Sequence, residues 1–296
     1  MKFTGKGYRI FMFFNISFMV LIAVISLFPY LHIVAKALNQ GIDSSMGGIT
    51  IYPRVPTLEN FKIILKDMEI WNAARITIMA VVVYTSLAII IQFGAAYALR
   101  RKSLPGRNGL LLFFMIPMFI NAGLIPAYIL YSRIGLLNNF MVYILPGAFS
   151  FYNMIIIRTY MNSSIPASLE ESARIDGANE ITIFSRIILP LSKPILATIM
   201  LWLAVAEWNE WTKTLYFITN SKLFTLQYKL VQIIKESERI IRLLQENPDL
   251  HGLKIDVTPD SLVAAQIVVT SLPIIMVYPF LQKYFIKGVM LGAVKE

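Results

Sequence analysis

Six long apolar runs divide this chain, and its polar residues gather between them rather than alternating within them. Residues 10–31 and 76–99 carry no charged side chain. Residues 108–132 are also uncharged and are interrupted by Pro117 and Pro126. Residues 134–157 are uncharged and hold Pro146. A fifth run covers 187–211, with Lys193 near one end and Glu207 and Glu210 near the other. The sixth, 261–282, holds Pro273 and Pro279. A helix rising about 1.5 Å per residue needs roughly 20 residues to cross about 30 Å of hydrocarbon, and each run is long enough. Continuous runs argue against a membrane β-barrel, whose strands alternate. Six of them leave too little polar surface for a soluble bundle. The pattern predicts an all-α, polytopic membrane protein with six transmembrane helices in a single domain over residues 1–296.

The connections have their own signals. In 32–75, Gly41, Gly47-Gly48, Pro53 and Pro56 read as turns, and Thr57-Leu58-Glu59-Asn60 predicts the start of a short helix. In 212–260, Leu223-Phe224-Thr225-Leu226 reads as extended and Lys235-Glu236-Ser237-Glu238-Arg239 as a surface helix. Thr258-Pro259-Asp260 leads into the last run, with Pro near its first turn. The first run follows Lys2, Lys6 and Arg9 and ends in Phe28-Pro29-Tyr30. It lacks a small-residue cleavage site and is expected to stay as the first helix.

Composition agrees: 57% of residues are hydrophobic and 15% charged, against roughly 25% charged in a soluble domain. The net charge of +10 would suggest nucleic acid in a soluble chain, but here its distribution explains it. With the N-terminus inside, the inward segments carry +9 and the outward ones +1. The loop from Arg100-Arg101-Lys102 to Arg107 contributes most. A multi-pass protein of the cytoplasmic membrane with both termini cytosolic is expected, in contact with lipid and not with nucleic acid. There is no Cys, which excludes disulfides and Cys-containing metal sites. His32 and His251 are too far apart in sequence to suggest a cluster, so no metal site is expected.

The inward segment 158–190 is the most informative part. Ser168 and Glu171 have capping-box spacing, and Pro166 just upstream fits a helix start. The helix would pass through Leu169 and Ala173, and Gly177 permits a turn that a Cβ would oppose. A second short helix is predicted from Asn179 through Phe184 to Ile188, ending near Pro190. Taken alone, these residues equally describe an amphipathic connector lying on the membrane surface.

Pro166, Leu169, Glu171-Ser172-Ala173, Asp176-Gly177-Ala178, Phe184, Ile187 and Leu189-Pro190 resemble the cytosolic loop of binding-protein-dependent ABC importer permeases. The family pattern is Glu-Ala-Ala, three residues, Gly, nine residues, Ile-x-Leu-Pro. Ser172 replaces the first Ala, and Gly177 and Ile187-x-Leu189-Pro190 fall at the expected spacing. The resemblance covers nearly the whole chain. It is nearest the shorter, maltose-type G subunit of the sugar permeases, and within that the branch for complex oligosaccharides and alginate-like polymers. Trp208-Asn209-Glu210-Trp211, the 282–288 ending and Gly292-Ala293-Val294-Lys295 resemble that branch.

The resemblance implies a type I ABC importer permease fold and a non-catalytic subunit translocating oligosaccharides, including alginate or other acidic ones. Glu170, Glu171, Ser172, Ala173, Asp176, Gly177, Leu189 and Pro190 would couple it to an ATPase. The implied partners are a second homologous permease forming a heterodimer, two ATP-binding cassette ATPase subunits and an extracytoplasmic sugar-binding protein. ATP and Mg would be bound by the partner ATPases, with no cofactor in this chain. The chain has no Gly-rich phosphate loop ending in Lys-Ser/Thr.

For the substrate pathway the candidates are Glu207, Trp208, Asn209, Glu210 and Trp211, with Asn121 and Asn153 as further polar groups. Asn, Glu and Trp supply the hydrogen bonds and apolar platforms that sugars need. An aromatic belt, a helix end or helix–helix hydrogen bonding accounts for the same residues, and the same holds for Tyr84 and Gln92. Two other classes are an ion-coupled secondary transporter and a membrane scaffold protein. The former more often has a longer chain with duplicated halves.

Overall fold

The computed structural model describes residues 6–120, 122–246 and 257–293, and among these the regular structure is helical. The first helix, α1 (Lys6–Ala37), is apolar around its whole circumference, and its apolar window is wholly unburied. Such a helix belongs in lipid or against another membrane helix. Short helices α2 (Gly41–Ser45) and α3 (Glu59–Lys66) follow, then the long α4 (Met68–Arg100). Next come α5 (Arg107–Phe119), α6 (Leu124–Arg133) and α7 (Phe151–Ser164). α8 (Ala167–Ile175) and α9 (Glu180–Ile183) continue through a π-helical turn, Phe184–Ile188, into α10 (Leu189–Leu191). The chain ends in α11 (Lys193–Trp208), α12 (Thr212–Phe217), α13 (Leu226–Glu246) and α14 (Pro259–Ala293).

Among the described residues three stretches are long and apolar enough to cross a membrane: α1, α4, and α14 over Pro259–Val277. Two bent pairs, α5 with α6 and α9–α10 with α11, raise the number to at most five. The multi-spanning helical architecture is thus seen, while the expected six continuous spans are not all seen among the described residues. The fifth run bends by 76° around Ser192 instead of running straight from 187 to 211. The fourth, 134–157, is not one helix. It holds a 3-10 turn at Phe140–Val142 and a non-helical stretch before α7 begins at Phe151. Gly135, Asn138 and Gly147 all have positive φ there, and Asn139 and Ser150 cap the pieces. Uncharged composition gives no sign of these turns, whereas left-handed backbone cannot continue a helix.

The described residues fall into two compact units, Met1–Ile70 with Leu230–Leu272, and Trp71–Lys229 with Pro273–Glu296. In the first, Asn60 is fully buried. Its amide donates to the Ala37 and Asn39 carbonyls at 2.9 Å each, and its Oδ1 accepts from Ser261 Oγ at 2.9 Å. Lys36 pairs with Asp260 at 2.8 Å. The Asn39 amide and then Arg54 hold the Asp43 carboxyl below its usual range.

In the second unit α4 supplies the spine. Ile76, Ala80, Tyr84, Ala88, Gln92 and Ala96 recur every four residues and are all buried. Small residues along such a row let helices approach closely. The row's apolar members pack into one core with Met154, Ile157 and Met161 of α7 and Leu196, Ile199 and Leu203 of α11. Tyr84 Oη donates to the Gly147 carbonyl at 3.2 Å, and Gln92 Nε2 to the Ala148 carbonyl at 3.1 Å. These two polar groups of α4 hold the turn that interrupts the fourth apolar run.

Candidate functional site

α8 begins at Ala167 with Pro166 in the capping position, and no side chain caps it. The expected Ser168–Glu171 capping box is corrected: Ser168 lies inside the first turn. The helix ends as expected. Asp176 is its C-cap, and Gly177 takes φ of 81°. The Ala178 N–H reaches back to the Ala173 carbonyl at 2.9 Å and the Gly177 N–H to Arg174 at 3.1 Å. That is a left-handed glycine stop. Asn179 Oδ1 then accepts from the Thr182 N–H at 2.8 Å and starts α9.

This segment presents a mixed surface. Glu171, Ser172, Asp176, Gly177, Leu189 and Pro190 are exposed, while Ala173 packs against the core. The Glu171 side chain makes no hydrogen bond or ion pair among the described residues. Ile175 and Ile181, on either side of the Gly177 turn, are 87% and 78% exposed. Two such bare aliphatic side chains beside a carboxylate, on an otherwise polar segment, form a surface suited to a protein partner. A cleft of about 980 Å³ opens beside it, lined among others by Lys102, Arg107, Ser163 and Glu171.

Glu170, the neighbour of Glu171, turns the other way. It is buried, and its Oε1 accepts from Arg100 at the end of α4 at 2.5 Å. Arg100 also donates to the Ile165 carbonyl at 2.8 Å. Arg101 pairs with Glu180, Tyr97 Oη donates to Glu180 at 3.0 Å, and Arg174 lies 3.4 Å from Glu180 and 3.7 Å from Glu170. Phe184 packs on Phe93 and Tyr97 with centroids 5.2 Å from each. Sequence reading missed Phe93, Tyr97, Arg100 and Arg101 in this role. Their trace in the sequence is the basic run Arg100-Arg101-Lys102 at the end of α4, for which charge bias across the membrane is a sufficient account.

The pathway candidates divide. Asn121 lies outside the described residues. Glu207 is buried and pairs with Lys213 at 2.6 Å, while its Oε1 has no partner among the described residues. Lys213 also donates to the Tyr143 carbonyl at 3.1 Å and sits 5.1 Å from the Tyr84 ring centre. Glu210 Oε1 accepts from the Thr212 N–H at 2.6 Å, from the Thr212 hydroxyl and from the Lys213 N–H, and so starts α12. Asn209 Nδ2 donates to the Val205 carbonyl at 2.8 Å and Trp211 precedes α12. Trp208 lines a small apolar groove with Val81, Leu201 and Pro273. The cluster that looked like one polar patch is thus a corner between α11 and α12, held largely by its own bonds. Asn153 instead lines a separate cavity with Tyr84 and Trp202. No group of three or more His, Cys, Asp or Glu side chains among the described residues is placed to hold a metal.

Comparison with known proteins gives a consistent answer. The family model described as binding-protein-dependent transport system inner membrane component matches residues 85–290. Protein LplC of Bacillus subtilis (strain 168) is 36% identical, over 98% of this chain and 96% of that protein. The polygalacturonan/rhamnogalacturonan transport system permease protein YtcP of the same organism is 31% identical, over 97% and 99%. Among solved structures, a chain of a bacterial ABC transporter involved in the import of the acidic polysaccharide alginate matches with a TM-score of 0.84 at 30% identity. That match covers 96% of this chain and 100% of the other.

Proposed function

The chain belongs to the family of binding-protein-dependent transport system inner membrane components, and on that premise we propose that it forms half of the translocation path of an oligosaccharide importer. Permeases of this family hydrolyse no ATP; hydrolysis takes place on separate ATPase subunits. Such systems also include a paired permease and a solute-binding protein. The partner permease proposed here is a different, homologous chain, and the proposed substrates are fragments of acidic polysaccharides. The names of the polygalacturonan/rhamnogalacturonan permease and the alginate importer support that class.

The observation that carries the mechanism is the surface around Gly177. Ile175 and Ile181 are bare, Glu171 is free, and the segment bearing them is fastened to α4 through buried Glu170. A docked ATPase would cover the two isoleucines and pull on a segment rigidly tied to a membrane helix. Movement of the ATPase dimer would reach the path through α4 and α11. In this reading the segments 134–150 and α7 together make a broken crossing, which brings the crossings to six and leaves both termini cytosolic. Broken helices are tolerated at membrane depth where protein or a cavity surrounds them.

The test is reconstitution of the importer in liposomes, with ATP hydrolysis and oligogalacturonide uptake measured together. Uptake is expected to need ATP and the loaded binding protein. Ile175→Ser with Ile181→Ser is expected to abolish ATPase association while leaving insertion intact. Uptake driven by an ion gradient in the absence of the ATPase would overturn the assignment.

A further inference from the structure

Tyr84 lies midway along α4, sixteen residues from Met68 and sixteen from Arg100. At about 1.5 Å per residue that is roughly 24 Å from either end, the middle of a membrane-crossing helix. There it forms one wall of a cavity of about 560 Å³. Phe114 of α5, Phe149, Tyr152 of α7 and Trp202 of α11 form other walls, and Asn153 of α7 faces in with them. Tyr152 and Trp202 both line the cavity and are exposed.

Two properties decide what such a cavity takes. The first is the Asn153 side chain. Its backbone N–H is bonded to Ser150 Oγ at 3.4 Å, but its carboxamide has no partner among the described residues. An unpaired amide at membrane depth is costly against hydrocarbon, and a lipid tail offers it nothing. A hydroxyl group offers both a donor and acceptors. The second is charge. Among the described residues no charged side chain lines the cavity, and nearby Lys213 is committed to Glu207. The walls therefore offer ring faces, one amide and the hydroxyls of Ser150 and Tyr152, neutral groups that can bond a hydroxyl or a carboxylate alike, and no cation to favour the carboxylate. Volume agrees, since cavities of roughly 300–1,000 Å³ hold small organic ligands.

We propose that this cavity is a carbohydrate subsite within this subunit. A pyranose ring lays its C–H face on Trp202 while Asn153 bonds its hydroxyls, and the subsite is indifferent to the sugar's charge. The proposal rests on the oligosaccharide reading above and adds to it where in this chain the sugar is held.

The experiment uses the complete importer in liposomes with two linear trisaccharides as probes, uncharged maltotriose and acidic trigalacturonate. Trp202→Leu and Asn153→Leu are expected to lower the number of sugars taken up per ATP hydrolysed by about tenfold, as for loss of one ring contact or one buried hydrogen bond. Trp202→Phe and Asn153→Gln are expected to restore most of it. Where both trisaccharides are carried, both are expected to fall by the same factor. An unchanged ratio of uptake to hydrolysis overturns the subsite, including the case in which both rates fall together through misfolding. So does a loss confined to the acidic sugar, or a conservative variant no better than its Leu counterpart. A wild-type importer that carries neither trisaccharide overturns the oligosaccharide reading itself, and the subsite with it.

Discussion

Arg100 and Glu170 are seventy residues apart in sequence and 2.5 Å apart in space, with side chains only 10% and 11% exposed. This pair joins the end of α4 to the first turn of α8. A buried pair is costly to desolvate, and removing one partner strands the other. Glu170→Ala is expected to destabilise the protein by about 3 kcal/mol, the usual scale for a broken buried pair. Thermal unfolding in lipid nanodiscs measures this. The reversed pair, Arg100→Glu with Glu170→Arg, is expected to recover part of the loss, and recovery of none would show that the surroundings, not the pair, set the stability.

Glu171 and Gly177 should behave differently from Glu170. Glu171 is exposed and unbonded, so Glu171→Ala is expected to change stability by less than about 0.5 kcal/mol. Any loss of ATPase association or of binding-protein-stimulated hydrolysis then reports the interface. At Gly177 there is open space for a Cβ, but φ is 81°. Gly177→Leu is therefore expected to cost about 1–2 kcal/mol of backbone strain and to reshape the turn between Ile175 and Ile181. If the double variant retains ATPase association, hydrolysis and uptake, the coupling role assigned to this segment is wrong.

The charge bias predicts which residues face the cytosol. Because the chain has no Cys, single-Cys replacements can be labelled without background. Cys at Ser103 or Ser168 is expected to resist a membrane-impermeant reagent applied to intact cells, while Cys at Gly48 or Glu238 reacts. Labelling of the first two from outside would invert the proposed topology.

The parts legible in the sequence are those written in contiguous residues. α1 and α4 each contain one of the uncharged runs, 10–31 and 76–99, so composition located them, while the polar turns that extend them to Lys6–Ala37 and Met68–Arg100 lay outside those runs. The Gly177 turn and the Asn179 start were legible because each is a local device. The Arg100–Glu170 pair was not, because neither residue names its partner across seventy positions. The interruption within 134–157 was not, because it depends on Tyr84 and Gln92 gripping the Gly147 and Ala148 carbonyls from another helix. The Glu207–Glu210 stretch looked like exposed substrate-binding chemistry because sequence shows polarity without burial. In space, Lys213 and the α12 backbone take up both carboxylates.

That corner yields the last prediction. Glu207 has one oxygen bonded to Lys213 and the other buried with no partner among the described residues, so the carboxylate depends on a single cation. Lys213→Met would remove that cation and strand the charge, at an expected cost of about 3 kcal/mol or more. Glu207→Gln with Lys213→Met removes both charges together and is expected to cost clearly less than Lys213→Met alone, since no ion is left unpaired. Unfolding of the two variants in nanodiscs separates the cases. If the double variant is the less stable of the two, the pair is not the main constraint on the α11–α12 corner. The same comparison, repeated for uptake, separates a structural role of Glu207 from a direct one. A structural role predicts that the double variant keeps transport in proportion to its stability, and a direct sugar contact predicts that it does not.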